Sequence, residues 1–453
     1  MKTRKSIMVA MAVMLVMTWA SFAFGAASPE EAAKLGTTLT GVGAEMAGNK
    51  EGTIPPYTGG LTKPPANYVP GSGRYPDPFA AEKPLFSINA QNMAQYADKL
   101  SEGTMALMKR YSTFRVDVYK THRTVAYPDD VIKNTAKIAL KAKTANNGLS
   151  LRDARAGFPF PIPKDGYEAM WNHLVRFMGR ATDTKVTGYL VDASGRRALC
   201  QECLEWDEFP YYDEDTTRSD ANYFWKAKVF WSGPPRKAGE VAMLMDPINI
   251  GEKSRIVYQY LPGQRRVKLA PEIAFDTPNS GTAGNNTYDE VWQFNGSMER
   301  YNFKIVGKKE LYIPYNAYKA VYWAKKEDLF GPRHLNPDLV RWELHRVWVV
   351  EGNLKPDKRH IYHKRLLYID EDTWNALVGE NFDAHGNLFK VNYNFQAPSY
   401  DIPAPWAFFL TSYNMVSGSY VSDLWPGEGF VRYVKPHPEK DWTPGSLAGS
   451  GVR

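Results

Sequence analysis

The stretch 341–396 constrains this chain most, because it alternates apolar and polar residues with the period of a β-strand through successive segments. In 341–351, Trp342, Leu344, Trp348 and Val350 share one face, broken only by Arg346. Glu343, His345, Val347 and Val349 share the other. A polar turn over 352–358 leads into 360–370, a third segment spans 376–378, and Asp383-Ala-His-Gly386 turns the chain into 388–395. Strands joined this closely pair antiparallel. Such a meander must bury an aromatic face against a helix, a second sheet or a ligand.

The same period recurs upstream. The segments 186–192 and 196–199 read as a hairpin around Ser194-Gly195, and strands follow at 223–231 and 239–245. The pairs 255–261 with 265–269, and 301–306 with 309–313, read as two more hairpins. Helical spacing of apolar residues predicts helices over 89–110, 128–143 and 165–180, the last capped by Asp165. Between the first two, 113–119 alternates as a strand. Ten or more strands with hairpin-length connections, and three helices, predict a mainly β protein with α (α+β): one large curved antiparallel sheet or unclosed barrel with helices on its concave face. Aromatic residues make up 13% of the chain, enough to supply both a sheet core and an apolar pocket.

The ends read differently. Residues 1–25 have the form of a secretory signal, with Lys2, Arg4 and Lys5 before an apolar run from Ile7 to Trp19 and small residues near Gly25. No cysteine follows to accept a lipid, so a cleaved, exported, periplasmic protein is expected. Cleavage removes three basic residues and no acidic one, taking the net charge from +7 to +4, too mild and too evenly spread for nucleic-acid binding. Residues 26–86 are rich in Gly and Pro and read as an extended arm anchored by Tyr57, Tyr68, Phe79 and Phe86. The tail after Pro398 reads as irregular.

No catalytic motif is present. There is no Gly-x-Ser-x-Gly elbow and no His-Glu-x-x-His. His360 and His363 point to opposite faces of one segment, and His345 and His173 read as solvated or hydrogen-bonded side chains. The acidic run Glu202, Glu205, Asp207 and Glu208, with 213–215, reads as a solvated loop. Cys200 and Cys203 read as a small local disulfide or an inert pair, since no second pair completes a zinc site. These observations predict a protein that is not an enzyme, with no cofactor and no metal.

An apolar barrel interior offers another use. Burying a lipid tail is worth about 0.8 kcal/mol per methylene, so roughly fifteen carbons would gain on the order of 12 kcal/mol before association costs. Face-sharing aromatic, aliphatic and Met residues predict the lining: Met170, Trp171 and Leu174 from the helix over 165–180, and Tyr258, Tyr260, Phe303, Ile305, Trp342, Leu344 and Trp348 from strands.

A series of strings runs in order along nearly the whole chain after residue 26. They include Gly43-Ala-Glu-Met-Ala-Gly-Asn49, Thr58-Gly-Gly60, Asp77-Pro-Phe-Ala80, Thr121-His-Arg123, Pro159-Phe-Pro161, Pro262-Gly-Gln-Arg-Arg-Val267, Pro314-Tyr-Asn316 and His345-Arg-Val-Trp-Val-Val350. In these the sequence resembles exported Gram-negative proteins of the domain-of-unknown-function family thirteen twenty-nine, grouped by fold with the LolA/LolB lipoprotein-sorting carriers. The resemblance implies an unclosed β-barrel with a helical lid over 87–398, between the arm at 26–86 and the tail at 399–453. It also implies a periplasmic carrier of lipid-like or acylated hydrophobic ligands in envelope transport. The alternative role is structural, with an outer-membrane or transporter protein as partner; a periplasmic hydrolase is the third. No ligand residue of the sorting carriers aligns by motif.

Overall fold

The structure is a computed structural model that describes residues 26–213, 215–407 and 409–450. The leader expected over 1–25 lies outside the described residues. Two short strands, β1 (Phe86–Ile88) and β2 (Val116–Val118), and a small hairpin of β3 (Lys143–Ala145) and β4 (Ser150–Arg152) come first. A run of six follows: β5 (Ala181–Val191), β6 (Arg197–Glu208), β7 (Tyr223–Gly233), β8 (Val241–Pro247), β9 (Ile256–Leu261) and β10 (Arg266–Leu269). The second run is β11 (Tyr301–Pro314), β12 (Trp342–Leu354), β13 (Lys364–Asp370), β14 (Ala376–Phe382) and β15 (Leu388–Phe395). Two more strands, β16 (Phe409–Asn414) and β17 (Tyr420–Tyr433), complete the set.

These strands make one large sheet in the order β11-β12-β13-β14-β15-β16-β17-β5-β6-β7-β8-β9-β10, antiparallel at every step. The β1–β2 pair joins it where β2 meets the start of β12. The two ends, β10 and β11, do not pair with each other, so the sheet is open. Lys304, Lys308, Lys309 and Glu310 along the free β11 edge discourage further strand addition.

Several expected elements take a different form. The hairpin expected over 301–313 is a single strand, β11, interrupted by a bulge at Val306 that leaves its side chain 58% exposed. The irregular tail expected after Pro398 holds β16 and β17, which lie in the middle of the sheet. Their pattern is hidden by register shifts around Leu424, which has a φ of 53°, and around Pro426 and Gly427. The acidic run is strand β6, with Glu205, Asp207 and Glu208 buried. β12 is buried on both faces, so Glu343 and His345 are as shielded as Trp342 and Leu344.

The helices are shorter than their apolar spacing suggests. α1 (Pro29–Ala32) sits in the arm; α2 (Glu102–Arg110) is split from a 3-10 segment by Ser101, whose hydroxyl accepts from the Thr104 amide and starts a new helix. Gly103 of α2 rests on Val391 of β15, where an added Cβ would meet Val391 at 2.7 Å. α3 (Asp129–Ala139) and α4 (Gly166–Leu174) follow, and Asp165 caps α4 by accepting from the Glu168 amide at 2.9 Å. α4 ends at Leu174, where Val175 leaves helical geometry and its amide donates to the Trp171 carbonyl, and the chain then turns through Gly179, with a φ of 104°, before β5. α5 (Lys326–Leu329) is a single turn, and α6 (Pro444–Ser450) lies against β8, β9 and β10.

α4 and the irregular segment 270–300 cover the inner face of the sheet. α6 covers the outer face near β8–β10, where Leu447 and Trp442 pack on Val241, Met243 and Tyr260. Most of the buried apolar residues belong to one continuous inner core.

The arm is fixed to this body by specific contacts. The Tyr57 hydroxyl donates to the Val125 carbonyl at 2.9 Å, Phe79 stacks on His122 at 4.2 Å, and the Trp374 indole donates to the Val42 carbonyl at 3.0 Å. Gly43 has a φ of 94°, and a Cβ there would lie 1.8 Å from the Pro161 carbonyl oxygen. Gly43→Ala is therefore expected to lift the arm and cost about 2 kcal/mol, measurable by urea unfolding and by faster proteolysis within 26–60. Unchanged unfolding and proteolysis would mean that the arm contributes no stability.

Candidate functional site

A cavity of about 70 Å³ lies between the inner face of β6–β9 and the segment 270–300. Alternation along β6 puts Gln201 and Glu205 on this side and Leu204 and Trp206 on the other, where Trp206 stacks on His437 at 3.9 Å. β7 contributes Trp225, Val229 and Trp231, and β8 contributes Ala242 and Leu244. Ile273, Tyr288 and Val291 close it from above, and Asp423 of β17 closes its side. The walls are mainly apolar and aromatic, with a few convergent polar groups, the usual composition of a small-molecule site.

Those polar groups form a chain. The Trp231 indole donates to Gln201 Oε1 at 2.8 Å, and Gln201 Nε2 donates to Asp423 Oδ1 at 2.5 Å. Burial pushes the Asp423 carboxyl up to about 7. Burial, with the charges of Asp207 and Asp423 added, pushes Glu205 well above the usual carboxylate range. Asp207 is also pushed up by burial, against a hydrogen bond from the Trp225 indole at 2.9 Å. Among the described residues none of the three makes an ion pair with Lys or Arg. Protonated carboxyls can sit in apolar surroundings and donate as well as accept hydrogen bonds.

The covering segment is tied down at several points: Lys237 Nζ donates to Ser280 Oγ and Arg255 Nη2 to the Asn295 carbonyl, each at 3.0 Å, and the densest set of contacts is at Asp289 and Glu290. Asp289 receives a bidentate contact from Arg365 Nη2 at 2.8 and 2.9 Å and faces His360 Nε2 at 3.1 Å. Glu290 accepts from Lys390 Nζ at 3.1 Å, from the Tyr362 hydroxyl at 2.9 Å and from Asn392 Nδ2 at 2.9 Å. Burial opposes the Asp289 charge, but Arg365 and His360 outweigh it and hold the carboxyl well below its ordinary range. Away from this anchor the segment has only 3-10 turns, and Phe275, Ala283, Trp292 and Gln293 sit at φ between 50° and 75°. Left-handed backbone at non-glycine residues stores strain.

The ten residues expected to line a cavity are placed elsewhere. Met170, Trp171 and Leu174 of α4 are fully packed in the core, Trp171 edge-on to Phe224 and donating to the Gly148 carbonyl at 2.8 Å. Phe303 packs against Tyr167 and Phe294, and Ile305 lies at its side on the β11 edge. Leu344 is buried, and Trp348 stacks on Trp374 at 6.0 Å. Trp342 meets Tyr393 edge-on at 5.1 Å beside a void of about 10 Å³. Tyr258 and Tyr260 face outward toward α6, and their neighbour Gln259 lines the cavity instead. Period two identified residues that share a face but not which face is inner. Glu205, Asp423, Trp225 and Trp231 were missed, although Cys203, Glu205 and Asp207 alternate with Leu204 and Trp206 as a strand should.

Two other site readings narrow to one of their stated alternatives, hydrogen-bonded for His173 and unbridged for the cysteine pair. His173 is buried, with Nε2 and Nδ1 each 3.0 Å from a backbone carbonyl, and burial lowers its pKa to about 3. Cys200 and Cys203 are free buried thiols, the first pushed up to about 11 and the second well above the ordinary thiol range, both by burial. They are inert rather than bridged. A second cleft of about 640 Å³ lies where the arm meets β2 and the start of β12, lined by Phe79, Glu82, Arg115, Tyr119, Trp323 and Arg341 among others. Among the described residues, no helix is long and apolar enough to cross a membrane.

An open antiparallel sheet with its inner face covered by a helix and a long irregular segment defines the class to which this chain belongs. The family described as "Protein of unknown function (DUF1329)" matches residues 87–448, and the chain belongs to that family. It is 38% identical over 459 residues to the uncharacterized protein PA3922 of Pseudomonas aeruginosa, covering 100% of both chains. Among solved structures it is similar to a DUF1329 family protein from Desulfovibrio piger, with 12% identity and a TM-score of 0.43, covering 62% of this chain and 95% of that one. It is also similar to a LolA superfamily protein from Nitrosomonas europaea, with 10% identity and a TM-score of 0.34, covering 60% and 93%.

Proposed function

We propose that the protein is a periplasmic binding or carrier protein for lipid-like, amphipathic molecules, taken up on the inner face of the sheet beneath residues 270–300. The observation that carries this reading is the apolar, Trp-lined cavity roofed by a segment of turns with strained backbone. At about 70 Å³ it holds only a few water-sized groups, so an acyl chain enters as the roof lifts. Buried carboxyls at Glu205 and Asp423, both pushed upward by burial, suit a hydroxyl, amide or amine near the ligand's polar end.

Native mass spectrometry of protein purified from its own envelope tests the reading. Wild type is expected to retain a lipid-like molecule, and Ala242→Phe, which fills the cavity from β8, is expected to lower occupancy at least tenfold with an unchanged circular-dichroism spectrum. Wild type free of any lipid, or a folded Ala242→Phe variant with full occupancy, would overturn it. The 640 Å³ cleft beside Trp323, which is 50% exposed, favours a second role as an assembly partner of an envelope protein. Crosslinking from that cleft in cells distinguishes the two.

A further inference from the structure

His345 lies in β12, Asp370 ends β13, and Asp372 lies in the turn before β14. All three are buried, and one ligand atom from each lies within 4.8 Å of the others. His345 Nε2 faces Glu343 Oε2 at 3.2 Å. A carboxylate there fixes the ring and turns Nδ1 toward the cluster, as outer partners of metal-binding imidazoles do. Nδ1 lies 3.9 Å from Asp370 Oδ1, too long for a hydrogen bond. An ion with bonds of about 2.0–2.2 Å would span that gap after a small contraction.

Two independent observations point to a missing partner. Asp370 Oδ1 and the Tyr315 hydroxyl are both buried without a hydrogen-bond partner among the described residues. The Tyr315 ring lies on His345 at 3.8 Å and 20°. The surrounding charges are uneven as well. Glu343 is paired with Arg341, Glu371 with Lys308 and Arg346, and Asp372 with Arg123. Among the described residues Asp370 has no Lys or Arg in ion-pair contact. A buried carboxylate in that position is costly unless a cation is supplied.

We propose that His345, Asp370 and Asp372 form a buried divalent-cation site suited to zinc, with the Tyr315 hydroxyl as a fourth group beside it. One imidazole with carboxylates suits zinc better than magnesium or calcium, which prefer oxygen alone, or copper(I), which prefers sulfur. Arg123 orients Asp372 through Nε at 2.8 Å and Nη2 at 2.6 Å, and its Nη1 donates to the Met46 carbonyl of the arm at 3.3 Å. Arg346 donates to the Ala47 carbonyl at 3.0 Å. The ion would therefore join the centre of the fold to the arm above it, a structural role.

The test uses the full mature chain, stripped with a chelator and then given zinc. Zinc per chain is measured after gel filtration, and Tm is measured with and without the metal. Wild type is expected to hold about one zinc and to melt several degrees higher with zinc in large excess over Kd. Asp370→Asn is expected to fold, to melt without metal no lower than wild type, and to hold less than a tenth of the zinc. His345→Gln should lose zinc likewise, and Cys200→Ser should keep it. A wild type that holds no zinc, or a folded Asp370→Asn or His345→Gln that holds it fully, would overturn the proposal.

Discussion

Replacing Arg365 by Met is expected to cost about 3–5 kcal/mol, because it leaves Asp289 as a buried charge with only His360 to answer it. Both partners are fully buried, and the guanidinium also bonds the Tyr301 hydroxyl at 3.2 Å. Burial keeps the His360 pKa below its ordinary value, and losing Arg365 should let it rise as the ring takes over part of the pairing. Urea unfolding at pH 7 measures the cost. The double variant Asp289→Leu with Arg365→Met should recover most of it, since removing both charges together leaves neither unpaired. A single variant as stable as wild type would show that the pair does not hold the covering segment down.

The sheet was largely legible because its strands alternate where side chains pack on one face. β15 occupies the expected 388–395 stretch, with Val391, Tyr393 and Phe395 sharing one face, although Lys390, Asn392 and Asn394 on its other face are buried as well. β6 was misread because its inner carboxyls look solvated in sequence; burial raises Glu205 and Asp207 only once the fold encloses them, with the charges of Asp207 and Asp423 adding to the shift at Glu205. β17 was hidden because Pro426, Gly427 and Gly429 break the period inside a strand. The residues expected on α4 do not line the cavity beneath 270–300, because Met170, Trp171 and Leu174 are packed in the core. His345, Asp370 and Asp372 could not be read as a cluster, since a strand and a turn separate them along the chain.

The second large effect concerns pH. Asp423 titrates near 7 in the folded protein and at about 3.9 in an unfolded chain. Between those values the folded state binds more protons, so this group's contribution falls as pH rises from about 4 through about 7 and is flat above that. Asp423→Asn is therefore expected to match wild type near pH 4 and to exceed its stability at pH 8 by on the order of 3 kcal/mol. Urea unfolding at pH 5 and pH 8 measures the difference. A stability gap that does not widen between the two would show that Asp423 is ionised in the fold throughout.

β17 pairs with β16 on one side and β5 on the other, and it is the strand that joins β5–β10 to the rest of the sheet. A chain delivered N-terminus first thus holds two half-sheets with raw edges until residues near 433 arrive. The last strand acts as a keystone: assembly waits for the end of the chain, and a nascent or truncated product exposes the β5 and β16 edges to other chains.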